Sequence, residues 1–296
     1  MGFKKTIGAA LLTAALFYVV NKFCHVQTDG FQIVKILSTI PSEEQWQASS
    51  LNGEELKEIL AKPFHFLDSG GQCYAFLSED KQVVLKFFKM HHLRQYPWLK
   101  KIPLPPLLQK WKNQFLLHQK EKLSRVFSSC AIAWNELKEE TGLIGVNLNP
   151  NPELSCLQVE IIDKLGIHHH LDLSRTPFVL QYRADNAFQR LRFHLNRLEI
   201  ESAKQVVEEI VQFMKIRLQK GIKDLDPAPR RNMGLFKGKA IAIDIGAFFH
   251  STLPLSALET KEALATDTRR MRKWLSKRSL ELTLHFDSLL ESNHLE

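Results

Sequence analysis

Two acids and an amide flank a short apolar run in the last third of the chain, and no other feature constrains the fold as strongly. Residues 221–232 contain Asp226 and end in Asn232, and the apolar run at residues 240–243 ends in Asp244. Such a run is typical of a buried strand within a hairpin. One carboxylate can orient a nucleophile, while an Asn/Asp pair can hold a metal on a phosphate. The pattern indicates a site for phosphoryl transfer.

A glycine turn and a lysine within a buried strand lie upstream of these acids. Residues 66–76 are predicted to form a strand, a turn at Gly70 and Gly71, and a second strand. Val83–Phe88 is aliphatic and aromatic except for Lys86. Because a buried charge requires a partner, we expect polar or acidic groups around the Lys86 ammonium.

The order of these motifs resembles that of the protein kinase-like superfamily, over about residues 63–249. The resemblance implies ATP and Mg²⁺ as cofactors. Gly70 and Gly71 would cover the nucleotide phosphates, and Lys86 would hold the α- and β-phosphate oxygens. Asn232 and Asp244 would bind the metal.

The same resemblance makes Asp226 the acid that orients the acceptor hydroxyl. In the family a His-Arg pair precedes this acid, whereas Asp224 and Leu225 stand there in this chain. Asn232 also follows Asp226 by six residues, where five is usual. Either the extra residue is absorbed as a bulge, or Asp224 is the working acid.

The resemblance also implies a glutamate partner for Lys86 on the next helix. A helix predicted over about residues 116–140 offers Glu136, with Glu139 and Glu140 as alternatives. We therefore expect an ion pair between Lys86 and Glu136, with Glu136 among the catalytic residues.

Apolar residues at helical spacing extend this helix toward the amino terminus, and such a stripe is typical of core. Its members are Leu108, Trp111, Phe115, Leu123, Phe127, Trp134 and Leu137. Residues 91–112, which precede and overlap it, are predicted to be a surface insertion. A second helix, predicted over residues 203–220, leads into the loop that carries Asp226.

The implied fold class is α+β: a two-lobed protein kinase-like fold, with a small antiparallel β-sheet N-lobe, one long helix and a mainly helical, reduced C-lobe. The C-lobe is predicted to be reduced because no Ala-Pro-Glu follows Asp244 and few residues remain. The predicted divisions are an amino-terminal segment (1–25), a connector (26–62), the N-lobe (63–184) and the C-lobe (185–296).

The function implied is an ATP- and Mg²⁺-dependent phosphotransferase whose acceptor hydroxyl, on a protein, a small molecule or a lipid, stays open. The alternative is a pseudokinase that acts as a membrane-tethered nucleotide- or protein-binding module, because Asp68 and Cys73 replace the outer glycines of the family's turn. A third possibility is an unrelated basic membrane-associated protein.

The amino terminus contains an uncharged run at residues 7–20 that follows Lys4 and Lys5. This run predicts an uncleaved anchor or a cleaved export signal, and its length fits a signal-peptide core better than a full membrane span. Membrane association or export is therefore expected, with the side of the membrane left open.

Composition excludes few function classes. The formal net charge of +8 suits an anionic partner or a solvated basic surface, and without a nucleic-acid-binding module no nucleic acid is expected. The four cysteines lack metal-site spacing. His168, His169 and His170 are predicted to lie in an exposed hairpin loop between two strands.

Overall fold

The computed structural model describes residues 2–38, 40, 43, 46, 53–151, 154, 157–252 and 255–291. The helices are α1 (Gly2–Thr28), α2 (Gly53–Leu60), α3 (Met90–Leu93), α4 (Pro97–Lys100), α5 (Pro106–Glu136), α6 (Lys138–Thr141), α7 (Ala187–Asn196), α8 (Ile200–Gln219), α9 (Pro229–Asn232), α10 (Ala257–Leu275) and α11 (Leu280–Glu291). The strands are β1 (Phe64–Ser69), β2 (Cys73–Ser78), β3 (Val83–Phe88), β4 (Leu143–Asn147), β5 (Gln158–Ile162), β6 (His168–Asp172), β7 (Phe178–Tyr182), β8 (Asp185–Asn186), β9 (Ile222–Asp224), β10 (Met233–Phe236), β11 (Lys239–Ala242) and β12 (Phe248–His250).

A mostly antiparallel sheet forms the amino-terminal lobe. In the described part of the chain it has seven strands in the order β4-β7-β3-β2-β1-β5-β6. Its neighbouring strands are antiparallel except for β1 and β5. The predicted strand Val83–Phe88 is confirmed as β3, and Lys86 is its partly buried position in an otherwise buried run. The sheet is larger than expected because the β5–β6 hairpin extends it beyond β1.

Each lobe has its own apolar core. Aromatic side chains of β1, β2 and β3 pack with α2 to form the core of the sheet lobe. The second core combines the carboxyl-terminal half of α5 with α7, α8, α10 and α11. The side chain of Ser256 begins α10 by accepting a hydrogen bond from the backbone N–H of Glu259, as a capping box does. The predicted two-lobed α+β architecture is confirmed.

The amino-terminal helix joins the sheet lobe through a sharp elbow. After α1, Asp29 and Gly30 both have positive φ angles, of 48° and 73°. The Phe31 ring then lies 5.2 Å from the rings of Tyr74 and Phe76, and the Tyr74 hydroxyl donates to the Gly30 carbonyl at 2.7 Å. The Lys164 ammonium contacts the Asp29 carboxylate at 2.8 Å. The residues that follow α1 are therefore fixed to the sheet lobe by packing, a hydrogen bond and an ion pair.

Helix α1 is longer than the uncharged run at residues 7–20. By length and composition, its Thr6–Thr28 stretch of 23 residues could cross a membrane, although a signal sequence passes the same test. The helix continues through Lys22 to Thr28 because no helix-breaking residue interrupts that segment.

Two predictions about local structure are wrong. The histidine triplet lies in β6, not in a loop, because it pairs with β5; His168 contacts Glu160 at 2.6 Å and His169 contacts Asp163 at 2.9 Å. The apolar stripe of α5 is core only in its carboxyl-terminal half. Its other members, Leu108, Trp111 and Phe115, are exposed because α5 begins at Pro106 and projects beyond both cores.

Candidate active site

A cavity of about 440 Å³ lies between the two lobes, within the range of small-molecule sites. Gly70 and Gly71 line it from the β1–β2 turn, and Lys86 lines it from β3. Asn232, the last residue of α9, and Asp244, which follows β11, line the opposite side. Four separate segments thus bring five of the predicted residues to one cavity.

Strand pairing places Lys86 toward this cavity. Lys86 lies between Ala75 of β2 and Val179 of β7 in the sheet. Its ammonium donates to the Gln181 side-chain oxygen at 2.7 Å and to the Ile243 backbone carbonyl. Burial lowers the pKa of Lys86, because desolvation disfavours the charged form.

Gln181, which was not predicted as a site residue, links the two lobes. Its amide nitrogen donates to the backbone carbonyls of Thr141 and Ala242, the latter at 2.7 Å, while its oxygen accepts from Lys86. The side chain is buried on β7. The signal that could have revealed it is a polar residue inside an apolar strand, which is the signal that revealed Lys86.

Lys86 and Glu136 do not pair, which corrects the prediction. Glu136 is the last residue of α5, and its carboxylate contacts the His250 ring at 2.9 Å. Two α5 residues about two helical turns earlier reach the site: Cys130 lines the cavity, and Ser129 contacts the segment that follows Asp244. The Ser129 hydroxyl donates to the Ile245 carbonyl and accepts from the backbone N–H of Phe248. Of the two alternatives, Glu140 contacts Lys220, and Glu139 lies on α6 beyond the end of α5.

The two acids of the preceding loop occupy different environments. Asp226 is about half exposed and contacts Arg231 at 3.0 Å, and the Asn232 amide donates to the Asp226 carbonyl at 2.9 Å. Asp224 is nearly buried, and its carboxylate accepts from the backbone N–H of Asp226 at 2.9 Å. Burial raises the pKa of Asp224, and Arg217 opposes this shift.

Asp244 lines the cavity, and its carboxylate accepts a hydrogen bond from the backbone N–H of Gly246 at 3.1 Å. The Gln72 side chain, from the glycine turn, lies directly against Gly246, so that a Cβ there would overlap its amide. Neither Gly70 nor Gly71 has a positive φ or a close neighbour that excludes a side chain. The turn therefore does not require glycine at these two positions.

Two thiols complete the wall of the cavity. Burial raises the pKa of Cys73 to about 12 and that of Cys130 well above its usual range. Both are therefore neutral and unreactive near pH 7. Cys156 lies outside the described residues. Within the described ranges no group of three or more His, Cys, Asp and Glu side chains has the form of a metal site.

The sheet lobe, the long helix, the helical lobe and the cavity between them define a protein kinase-like fold. No protein-family model matches the chain, and no curated protein sequence matches it significantly. Among solved structures, the ROP18 kinase domain in complex with AMP-PNP and sucrose is 15% identical, with 81% of this chain and 82% of that chain covered and a TM-score of 0.39. WbdD is 11% identical over 77% of this chain and 45% of its own, with a TM-score of 0.36. A complex of Rv3197 with erythromycin, from Mycobacterium tuberculosis, is 14% identical over 95% and 74%, with a TM-score of 0.32.

Proposed function

We propose that the chain binds ATP in the cavity between its lobes and transfers the terminal phosphoryl group to a hydroxyl. The observation that carries this proposal is the convergence of Lys86, Asn232 and Asp244 on one cavity beneath the glycine turn. Catalysis of phosphoryl transfer is mainly positioning and charge neutralisation. It therefore needs a cation for the phosphates, oxygen donors for a metal and a turn that covers the nucleotide.

The metal-binding part of the proposal rests on the chemistry of the donors. Asn232 and Asp244 supply an amide and a carboxylate oxygen, which suit the hard cation Mg²⁺. Mg²⁺ usually keeps several waters and phosphate oxygens as its other ligands, so two protein donors suffice. When bound, Mg²⁺ supplies charge neutralisation on the phosphates. Lys86 would donate to the phosphate oxygens in place of the Ile243 carbonyl.

Asp226 is the better candidate for the acid that orients the acceptor hydroxyl. Its carboxylate is about half exposed beside Arg231, a residue of the cavity rim, so an acceptor can reach it from solvent. Asp224 is held inside by the Asp226 backbone and by Arg217. We assign Asp224 a positioning role, in which it fixes the loop that carries Asp226.

Thermal unfolding of the full chain in detergent, with and without MgATP, tests the nucleotide site. A ligand at a hundred times its dissociation constant adds ~2.7 kcal/mol to the free energy of unfolding. At ~2 °C per kcal/mol for a chain of this size, the midpoint should rise by roughly 5 °C. The shift should require Mg²⁺ and vanish in Asp244→Asn, while the exposed control Glu79→Gln keeps it. If the Mg²⁺-dependent rise of the midpoint persists in Asp244→Asn, Asp244 does not bind the metal.

Transfer is measured separately, as ATP consumption in the presence of candidate hydroxyl acceptors. Asp226→Asn should abolish turnover but keep the MgATP-dependent shift, because the acid contacts the acceptor and not the nucleotide. Asp224→Asn should lower turnover without abolishing it, because Asp226 is still present to orient the acceptor hydroxyl. If Asp224→Asn alone abolishes turnover, the two roles are exchanged.

A pseudokinase is the second candidate, and specific contacts favour it. The Gln72 side chain occupies space above Gly246 where phosphates would lie, and Lys86 has an amide partner in place of an acid. In this alternative the cavity binds nucleotide without turnover. This alternative is supported if MgATP raises the thermal midpoint but no ATP is consumed with any class of acceptor.

We also propose that α1 tethers this module to a membrane. The stretch Thr6–Thr28 has the necessary length and apolar composition. Extraction of the expressed chain with carbonate should leave it in the membrane fraction, and release into the soluble fraction at full length would contradict the tether.

A further inference from the structure

An exposed apolar surface lies at the amino-terminal end of α5, remote from the residues of the cavity. Trp98 is 59% exposed, Trp111 is 70% exposed and Leu107 is 72% exposed. We call this the tryptophan surface; it comprises Trp98, Ile102, Leu107, Leu108, Trp111 and Phe115. Large exposed apolar patches of this kind mark interaction sites.

Side-chain contacts hold the surface together as one built feature. The Tyr96 ring lies 6.5 Å from the ring of Trp98 and 5.7 Å from that of Phe115, so α4 packs onto α5. The Lys112 ammonium is buried beneath the surface and donates to the Ile102 carbonyl at 2.8 Å. The aromatic residues are therefore presented on a folded element and not on a loose loop.

The charge around the surface has one sign. Residues 81–120 contain nine Lys or Arg and no Asp or Glu. Lys100, Lys101 and Lys110 are exposed beside the apolar side chains. An apolar face with tryptophans, flanked by basic residues and free of acids, is the composition of an element that lies in the interface of an anionic membrane.

The segment that carries the tryptophan surface and helix α1 are attached to the sheet lobe at neighbouring points. Lys89, the residue before α3, donates to the Ser69 hydroxyl at 2.9 Å, and that hydroxyl donates to the Asp29 carbonyl at 3.2 Å. Asp29 directly follows α1. A bilayer that holds α1 would therefore lie near the root of the segment that carries the surface.

We propose that the tryptophan surface docks on the anionic face of a phospholipid bilayer as a second membrane contact besides α1. Trp98, Trp111 and the neighbouring aliphatic side chains enter the headgroup region, and the lysines contact lipid phosphates. The inference is independent of phosphoryl transfer, so it can fail while the proposed function stands.

The test is quenching of tryptophan fluorescence by lipids with brominated acyl chains. The full chain is reconstituted through α1 into nanodiscs of phosphatidylcholine, alone or with about a third phosphatidylserine. Helix α1 contains no tryptophan, so the helix itself contributes no signal. Of the other three tryptophans, Trp46 and Trp134 are buried, and Trp274 is partly buried on α10, where its ring packs against Phe188; their signal is the background that remains in the double variant below. Strong quenching is expected only with phosphatidylserine, and it should be lost in the double variant Trp98→Phe, Trp111→Phe.

Charge reversal separates electrostatic docking from passive contact. Each lysine near an anionic surface contributes about a fivefold gain in association. The double variant Lys100→Glu, Lys101→Glu should therefore lower the ratio of docked to undocked protein at least ~25-fold. The matched control Lys237→Glu, Lys239→Glu, on the β10–β11 hairpin, should keep the quenching of the parent chain.

Two outcomes would overturn the proposal. Equal quenching with and without phosphatidylserine, unchanged by Lys100→Glu, Lys101→Glu, would show that anionic lipid is not recognised. The second outcome is measured in detergent, as quenching of the tryptophans by aqueous iodide. If this quenching weakens as the protein concentration rises, a second copy of the chain occupies the surface.

Discussion

Replacing Arg217 by methionine should unfold the helical lobe at markedly lower denaturant or temperature. Arg217 is 1% exposed on α8, and its guanidinium contacts Asp267 of α10 at 2.5 Å and Asp224 of β9 at 4.0 Å. Arg217→Met keeps most of the side-chain volume but leaves both carboxylates without their cation. Removing one partner of a buried pair costs about 3–5 kcal/mol, and because both acids keep slight exposure we expect about 3 kcal/mol.

The loss should depend on pH in a defined direction. Burial already raises the pKa values of Asp224 and Asp267, and Arg217 opposes both shifts. Without Arg217 the folded-state pKa values rise further above their unfolded values. A group with a raised folded-state pKa stabilises the fold below its unfolded pKa and loses that contribution as pH rises. The deficit of Arg217→Met should therefore be largest near neutral pH and shrink as the pH falls through the raised pKa values of the two acids.

Chemical denaturation followed by circular dichroism at several pH values measures both effects, and the thermal midpoint should fall by roughly 6 °C. The control is Arg272→Met, because Arg272 makes a bidentate pair with Asp287 at 2.7 Å but is about half exposed. Water screens that pair, so its loss should change little. If the two variants lose equal stability, or if the deficit of Arg217→Met ignores pH, burial is not what makes the Arg217 cluster important.

Three further predictions concern the cavity wall. Gln181→Leu removes the side-chain acceptor of Lys86 and should lower the free energy of unfolding by about 1–3 kcal/mol in denaturant titrations; a neutral result would mean that water replaces the amide. Gln72→Ala should tighten nucleotide binding, measured with a fluorescent ATP analogue, because it clears the space above Gly246; weaker binding would give Gln72 a role in holding the nucleotide. Iodoacetamide at about pH 8, with the labelled position read by peptide mapping, should modify Cys73 only after unfolding, since a pKa of about 12 leaves roughly one thiolate in 10⁴; Cys24 is exposed and labels in either state, so rapid modification of Cys73 itself in the folded chain would contradict that pKa.

Sequence patterns predicted those elements in which local chemistry and burial agree. Val83–Phe88 has a strand composition with one charge inside it, and it matches β3 of the structure. Lys86 within an apolar run and Asp244 at the end of another were singled out by local pattern, Asn232 by motif order, and all three line the cavity.

The two wrong predictions that concern α5 have one physical cause: periodicity identifies a helix face but not what that face contacts. The stripe through Trp111 and Phe127 is continuous in sequence, yet only its second half reaches a core. Glu136 was paired with Lys86 by motif order, but the length of α5 carries it to His250. Which of several carboxylates or amides reaches a buried lysine depends on helix position in space, which spacing alone does not determine.

The elbow after α1 joins this helix directly to the sheet lobe. With Phe31 packed among the aromatic rings of β2 and positive φ angles at Asp29 and Gly30, α1 and the sheet form one unit. Under the membrane tether proposed above, the glycine turn would keep a fixed distance from the bilayer, because the sheet carries both this turn and the attachment of α1. An acceptor would then meet the nucleotide site at a height above the membrane that the elbow sets.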